Sequence, residues 1–309
     1  MANKILDTKK LFKFSIIGYA AILVVGLLMT VIFGLKLDIN FSGGTRISYV
    51  YEGKLNIADV ENVIESTVDR DFTISENESM AGDTRTITVS FSGNEALSTD
   101  DQIELFKNLQ EKFKDNKFEE GEIQAVAPTV AGAFFKKSLA AVALTAVLVI
   151  IYVGIRFRRI GGISAAITAF CSLILDIMVS FFVCVIFRLQ IDSNYIAVVL
   201  TLLGYSLNDT IVIYDRVREN RKYHPELKTR ALVDHSITSV MVRNIVTTVT
   251  TISAVFTIIL VAELFGLTSL RTFAIPMAFG LISGCISSLF VSGPLWVMWR
   301  EYRDSKAKK

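Results

Sequence analysis

Apolar residues gather into six long runs along this chain, at 14–35, 138–155, 160–187, 193–214, 237–260 and 272–299. About 20 apolar residues cross the hydrocarbon core of a bilayer as a helix, so each run predicts a membrane-spanning helix. Between the first two runs the period changes. Arg46-Ile47-Ser48-Tyr49-Val50-Tyr51 and Thr86-Ile87-Thr88-Val89-Ser90-Phe91 alternate as strands, and shorter strands are predicted at Phe72 to Ile74 and Glu122 to Val126. Asn56 and Ser98 stand where caps would open two helices, with apolar faces Ile57, Val60, Ile64, Val68 and Ile103, Phe106, Leu109, Phe113. The order βαββαβ is that of a split, ferredoxin-like unit. The fold class expected is an α-helical polytopic membrane protein of six transmembrane helices, with one extracytoplasmic α+β ferredoxin-like domain between helices 1 and 2.

Charge orients this layout. Residues 36–133 hold 9 Lys and Arg against 19 Asp and Glu, a net of −10, which leaves +12 in the rest of a chain whose total is +2. The cations outside that segment cluster at alternate ends of the runs: Lys4, Lys9, Lys10 and Lys13 before the first, Arg156, Arg158 and Arg159 after the second. Arg216, Arg218, Arg221, Lys222, Lys228 and Arg230 follow the fourth, and Arg300, Arg303, Lys306, Lys308 and Lys309 the sixth. By the positive-inside rule both termini are expected in the cytoplasm and segment 36–133 outside it. The expected organisation is a cytoplasmic N-terminus at 1–13, a first span at 14–35, an external domain at 36–133, a five-helix bundle at 134–299 and a cytoplasmic C-terminus at 300–309. The basic cytoplasmic loop at 215–236, with an interfacial helix from Glu226, reads either as a lipid-facing surface or as a docking surface. The first run is too long for a cleaved signal peptide and reads as an anchor.

Over its 309 residues the chain is 52% hydrophobic with a mean hydropathy of +0.49, which argues for a membrane protein. Cys171, Cys184 and Cys285 all fall inside apolar runs and read as packing residues. No Cys, His or carboxylate spacing suggests a metal site, and His224 and His235 are the only histidines. Gly43-Gly44 and Gly161-Gly162 lack the strand, loop and helix frame of a phosphate cradle. No cofactor is expected and an enzyme is not. The acidity of the external domain excludes a nucleic-acid partner.

Only three charges lie inside the six runs: Asp176, Asp209 and Arg243. An ionisable group at such depth costs at least roughly 2.5 kcal/mol, so it points to a protein interior or a water path and to function. At about 1.5 Å of rise per residue, Asp209 and Arg243 each lie about 9 Å from the basic end, so the two can meet. Asp176 lies deeper, roughly 24 Å in by the same rise. A carboxylate beside a guanidinium keeps its charge, and one separated from it in a low dielectric prefers a proton. A helix movement that makes and breaks the contact would then link proton passage to conformation. The other reading is a static buried ion pair. Ser172 and Ser180, four residues away on either side, could satisfy Asp176 structurally. Asn208, Ser206 and Thr247 are candidate supporting polar groups, and Gly280, Ser283, Gly284, Ser287 and Ser288 form a small-residue face.

The run Gly204-Tyr205-Ser206-Leu207-Asn208-Asp209-Thr210-Ile211-Val212-Ile213-Tyr214-Asp215-Arg216-Val217-Arg218-Glu219-Asn220 resembles the fourth-span signature of the SecD/SecF family. That family comprises membrane subunits of the bacterial Sec protein-translocation machinery, within the resistance-nodulation-division superfamily. Asp38-Ile39-Asn40-Phe41-Ser42-Gly43-Gly44-Thr45, Arg243-Asn244-Ile245-Val246-Thr247-Thr248, Phe265-Gly266 and Gly280 through Ser288 are also similar to it. Phe134-Phe135 stands where Glu-Leu is common, Ala127 replaces a glycine, and Leu175 precedes Asp176 where many members have histidine. The resemblance implies an accessory translocase subunit in the bacterial plasma (inner) membrane, working with a second six-span subunit, SecD, and the SecYEG channel on a translocating polypeptide. It implies that the proton gradient drives late export, with Asp209, Arg243 and Asp176 as relay residues. Sodium in place of the proton stays open. So do a small-molecule efflux subunit of the same superfamily and a structural assembly factor.

Overall fold

The structure is a computed structural model, and it describes residues 8–78, 84–93, 96–265 and 267–306. Lys4, Gly266, Lys308 and Lys309 lie outside the described residues. Among the described residues, six helices or helical assemblies are long and apolar enough to cross a membrane. The first is α1 (Thr8–Phe33), which begins six residues before the apolar run that predicts it.

A short helix α2 (Ile39–Ser42) follows, capped by Asp38, whose side chain accepts from the Asn40 backbone N–H. Gly43, at φ 79°, then turns the chain into β1 (Gly44–Glu52). A Cβ there would stand 3.2 Å from both the Gly93 carbonyl oxygen and the Pro128 Cα, so glycine is required by space as well as by conformation.

The α+β unit continues with α3 (Ile57–Thr67), β2 (Phe72–Glu78), β3 (Thr84–Ser92), α4 (Thr99–Lys112) and β4 (Glu119–Val126). Asn56 caps α3 by accepting from Ala58 N–H, and Ser98 caps α4 by accepting from Asp101 N–H at 3.1 Å. The strands form one antiparallel sheet in the order β2-β3-β1-β4. Strand alternation sends Ile47, Tyr49, Ile87 and Val89 to the face covered by α3 and α4, where they pack with Val60, Ile64, Leu105 and Leu109. The opposite face carries Arg46, Ser48, Thr88 and Ser90 and stays polar.

Two backbone hydrogen bonds tie the entry to this unit to the bundle, Asp38 N–H to Ile191 O at 3.0 Å and Ile191 N–H to Lys36 O at 2.8 Å, and Gln190 Nε2 donates to the Leu37 carbonyl at 3.4 Å. Asp38 also pairs with Arg46 of β1. On the other side of the junction Phe41 packs against Phe134 and Phe135, ring centroids 5.3 and 6.1 Å apart. Phe134 and Phe135 therefore serve as an apolar clamp on α2.

The bundle comprises α5 (Pro128–Arg156), α6 (Gly162–Ile186), α7 (Ser193–Tyr223), α8 (Thr229–Leu264), α9 (Thr268–Ser287), a π-helical turn (Ser288–Ser292) and α10 (Gly293–Lys306). The last three together make the sixth span. The connection expected at 215–236 is mostly helix: α7 and α8 run on past the apolar runs and leave only residues 224–228 between them. The helix expected from Glu226 is the first part of α8. Ion pairs within α7, Arg216 to Glu219 and Arg218 to Asp215, support the extension. Asn220 donates to Ser236 Oγ of α8 at 2.9 Å and joins the two helices beyond the apolar zone.

Candidate functional site

Helix α9 lies against both α6 and α7 because its inward residues are small. A Cβ on Gly280 would fall 2.4 Å from Leu202 Cδ1, and one on Gly284 would fall 2.9 Å from Ser206 Oγ. That approach brings serines onto Asp176, which has no solvent exposure. Ser283 Oγ donates to its Oδ1 at 2.7 Å, Ser287 Oγ to its Oδ2 at 3.0 Å, and Ser206 Oγ of α7 donates to the same Oδ2. Ser283 and Ser287 are four residues apart and so share one face of α9. Tyr19 of α1 extends the network by donating to the Ser283 carbonyl at 3.0 Å, with its hydroxyl also 3.0 Å from Ser283 Oγ.

The serines on α6 itself do not do this work. Ser172 donates back to the Ala169 carbonyl at 2.7 Å, and the buried Ser180 hydroxyl makes no hydrogen bond. Back-bonding to the preceding turn is the local alternative always open to a helical serine. Asp176 is thus satisfied across helices rather than along its own.

Below this level, three further hydroxyl contacts follow at two positions along α7. Thr210 and Ser288 hydroxyls meet at 3.0 Å, and the Tyr214 hydroxyl meets Ser292 and Thr168 hydroxyls at 2.8 Å each. The π turn inserts an extra residue beyond Ser283 and Ser287, which meet Asp176 of α6, and Ser288 and Ser292 meet Thr210 and Tyr214 of α7.

Asp209 is on the adjoining side of α7, 3% exposed. Among the described residues its carboxylate forms no ion pair within 4.0 Å, so the contact with Arg243 expected from depth is not closed here. Arg243 stands near enough in α8 for its charge to act on Asp209, yet it is exposed on the bundle surface. Thr248 is buried beside Asp209, and its hydroxyl makes no hydrogen bond of good geometry. Asn244 donates to the Asp209 backbone carbonyl at 3.5 Å.

The supporting residues divide. Ser206 belongs to the Asp176 cluster. Asn208 is exposed next to Asp209. Thr247 is exposed and donates to its own helix at the Arg243 carbonyl, 2.8 Å away. Tyr205 donates to the Thr247 carbonyl at 3.2 Å and meets the Thr251 hydroxyl at 2.7 Å. Asn208, Arg243 and Thr247 therefore mark one uncovered polar face of α7 and α8, with Asp209 just beneath it. The residues that sequence reasoning did not assign to Asp176 are Ser283, Ser287 and Tyr19. The signal for the serines was present in the small-residue face of the last run; nothing marks Tyr19.

The family description "Protein export membrane protein SecD/SecF, C-terminal" matches residues 105–302. The protein translocase subunit SecDF of Bacillus subtilis is 32% identical over 302 residues, which are 96% of this chain and 38% of that protein. The chain thus spans about two fifths of that relative. The protein translocase subunit SecF of Acidaminococcus fermentans is 31% identical over 303 residues, 94% of this chain and 98% of the relative. Among solved structures, the crystal structure of SecDF from Thermus thermophilus, described as a translocon-associated membrane protein, superposes with a TM-score of 0.78 at 22% identity, over 96% of this chain and 39% of that one. The structural likeness supports the multi-pass fold, and the sequence matches span both the α+β unit and the bundle. On these matches the chain belongs to the SecD/SecF family of protein export membrane proteins.

Proposed function

We propose that this chain is an accessory subunit of the Sec protein translocase that works with SecD and SecYEG and uses the proton gradient to promote late stages of export. The observation that carries this reading is the uncovered polar face of α7 and α8. Arg243, Asn208 and Thr247 face outward within spans that would otherwise contact lipid, where a charge such as Arg243 is costly. A second six-span unit docked on that face covers them and encloses Asp209 in a shared centre. The length of the fused relatives, more than twice that of this chain, supports the same two-part assembly.

Within that centre Asp209 takes and releases the proton, Arg243 supplies the counter-charge when the helices close, and Asp176 holds the inner packing that transmits the movement. The α+β unit, with the sheet order of a ferredoxin-like domain, lies outside the cytoplasm. There it holds the emerging polypeptide, while both termini stay in the cytoplasm of a bacterial plasma membrane. Cysteines introduced as Asn208→Cys or Thr247→Cys test the assembly: each is expected to crosslink to SecD in membranes. Crosslinks to lipid probes alone would contradict it.

A further inference from the structure

At the end of the bundle that carries the α+β unit, two neighbouring spans finish on cations. Lys36 follows α1, and Arg188 follows α6. Arg188 adopts a left-handed backbone at φ 54°, a conformation glycine takes freely and arginine does not. The turn is closed by Leu189 N–H to Cys184 O at 2.9 Å and Arg188 N–H to Val185 O at 3.2 Å. It brings the guanidinium over the Phe33 ring of α1, 5.1 Å from its centroid, and toward Lys36.

Neither cation forms an ion pair among the described residues. Burial, and then the Arg188 charge, push the Lys36 ammonium below its usual range, with only Glu61 acting the other way. The nearby acids are engaged elsewhere. Asp38 pairs with Arg46, and Asp192 caps α7 through Asn194 and Tyr195 N–H and accepts from Thr272. Among the described residues the two adjacent cations have no direct ion-pair partner, while Asp192 and Glu76 line the same cleft.

The surroundings are of two kinds. Ile32 and Phe33 at the end of α1 and Ile186 at the end of α6 are exposed and apolar, on the bilayer side of the cations, with Leu35 and Phe187 exposed just beyond the helix ends. On the other side Lys36 and Arg188 border a cleft of about 620 Å³ beneath the polar face of the sheet, with Ser48, Thr88 and Ser90 on its far wall. A ligand that fits has a fatty part, an anionic group and a hydroxylated polar part, in that order.

We propose that Lys36 and Arg188 bind the phosphate of an anionic phospholipid, its acyl chains lying along the ends of α1 and α6 and its headgroup turned into the cleft. Charge-assisted bonds from a guanidinium and an ammonium suit a phosphodiester at the depth where a lipid headgroup sits. The bound lipid neutralises the cation pair and fastens the α+β unit to the membrane beside the two backbone bonds at Ile191.

Native mass spectrometry of the full chain in detergent, titrated with phosphatidylglycerol, tests this. The double variant Lys36→Gln/Arg188→Gly is expected to bind the tightest lipid at least about tenfold more weakly. Arg188→Gly keeps the left-handed turn. Arg159→Gln, at the opposite end of the bundle, and the charge-preserving Lys36→Arg are expected to bind as the parent does. Should the double variant unfold, Lys36→Gln alone is expected to show the weakening. Undiminished binding in a folded variant overturns the proposal. So does displacement of the lipid by millimolar inorganic phosphate, which would make this a free-anion site, or by a polyglutamate peptide, which would make the occupant a polypeptide.

Discussion

The two aspartates buried within the spans, Asp176 and Asp209, are held in opposite ways. Asp176 accepts three serine hydroxyls and lies at the contact of three helices, whereas Asp209 has a charge nearby but no bond to it. A carboxylate with its acceptors filled resists change, and one left with a loose counter-charge is free to exchange a proton. Removal of a donor to a charged group costs roughly 1.5–3 kcal/mol, so Ser283→Ala and Ser287→Ala should each destabilise the bundle by about that much in a thermal or denaturant titration. Gly284→Ala should cost about 1–3 kcal/mol by pushing Ser206 off Asp176. Both carboxylates were legible in the sequence because a charge inside an apolar run stands out against its neighbours. Their partners were not, because Ser283 and Ser287 are 107 and 111 residues from Asp176 and nothing local reports a contact across helices.

Among the elements, the six spans and the strands of the α+β unit follow from hydrophobic period alone, and Asn56 and Ser98 cap the helices their positions announce. The π turn, the extension of α7 and α8 and the short helix α2 did not show in the pattern. Each depends on tertiary contacts, such as Ser288 with Thr210, Asn220 with Ser236, and Phe41 with Phe134. Two tests belong at this scale. Ser98→Ala should lose about 1 kcal/mol of protection in hydrogen exchange confined to the first turns of α4. Gly43→Ala should loosen the junction by more than about 1 kcal/mol, seen as faster exchange in both α2 and β1, since its φ and its surroundings both exclude a side chain.

At the scale of the whole molecule, the proposed assembly with a second six-span unit rests on two unlike faces of the bundle. Its inner face, from Asp176 down to Ser292, is closed by hydroxyl contacts between α6, α7 and the sixth span. Its outer polar face at Asn208, Arg243 and Thr247 is open. The α+β unit is fixed to the bundle at one side by Asp38, Ile191 and the phenylalanine clamp, with a cleft on the other. Asp209 lies between the closed and the open faces, where the proposed docking of a second unit would change its surroundings. The most direct test of proton coupling is export of a precursor protein by membranes carrying this chain as Asp209→Asn, with SecD and SecYEG present and a proton gradient imposed. Normal assembly with loss of the gradient-dependent part of export is predicted. Full retention of gradient-dependent export by the assembled variant would contradict it.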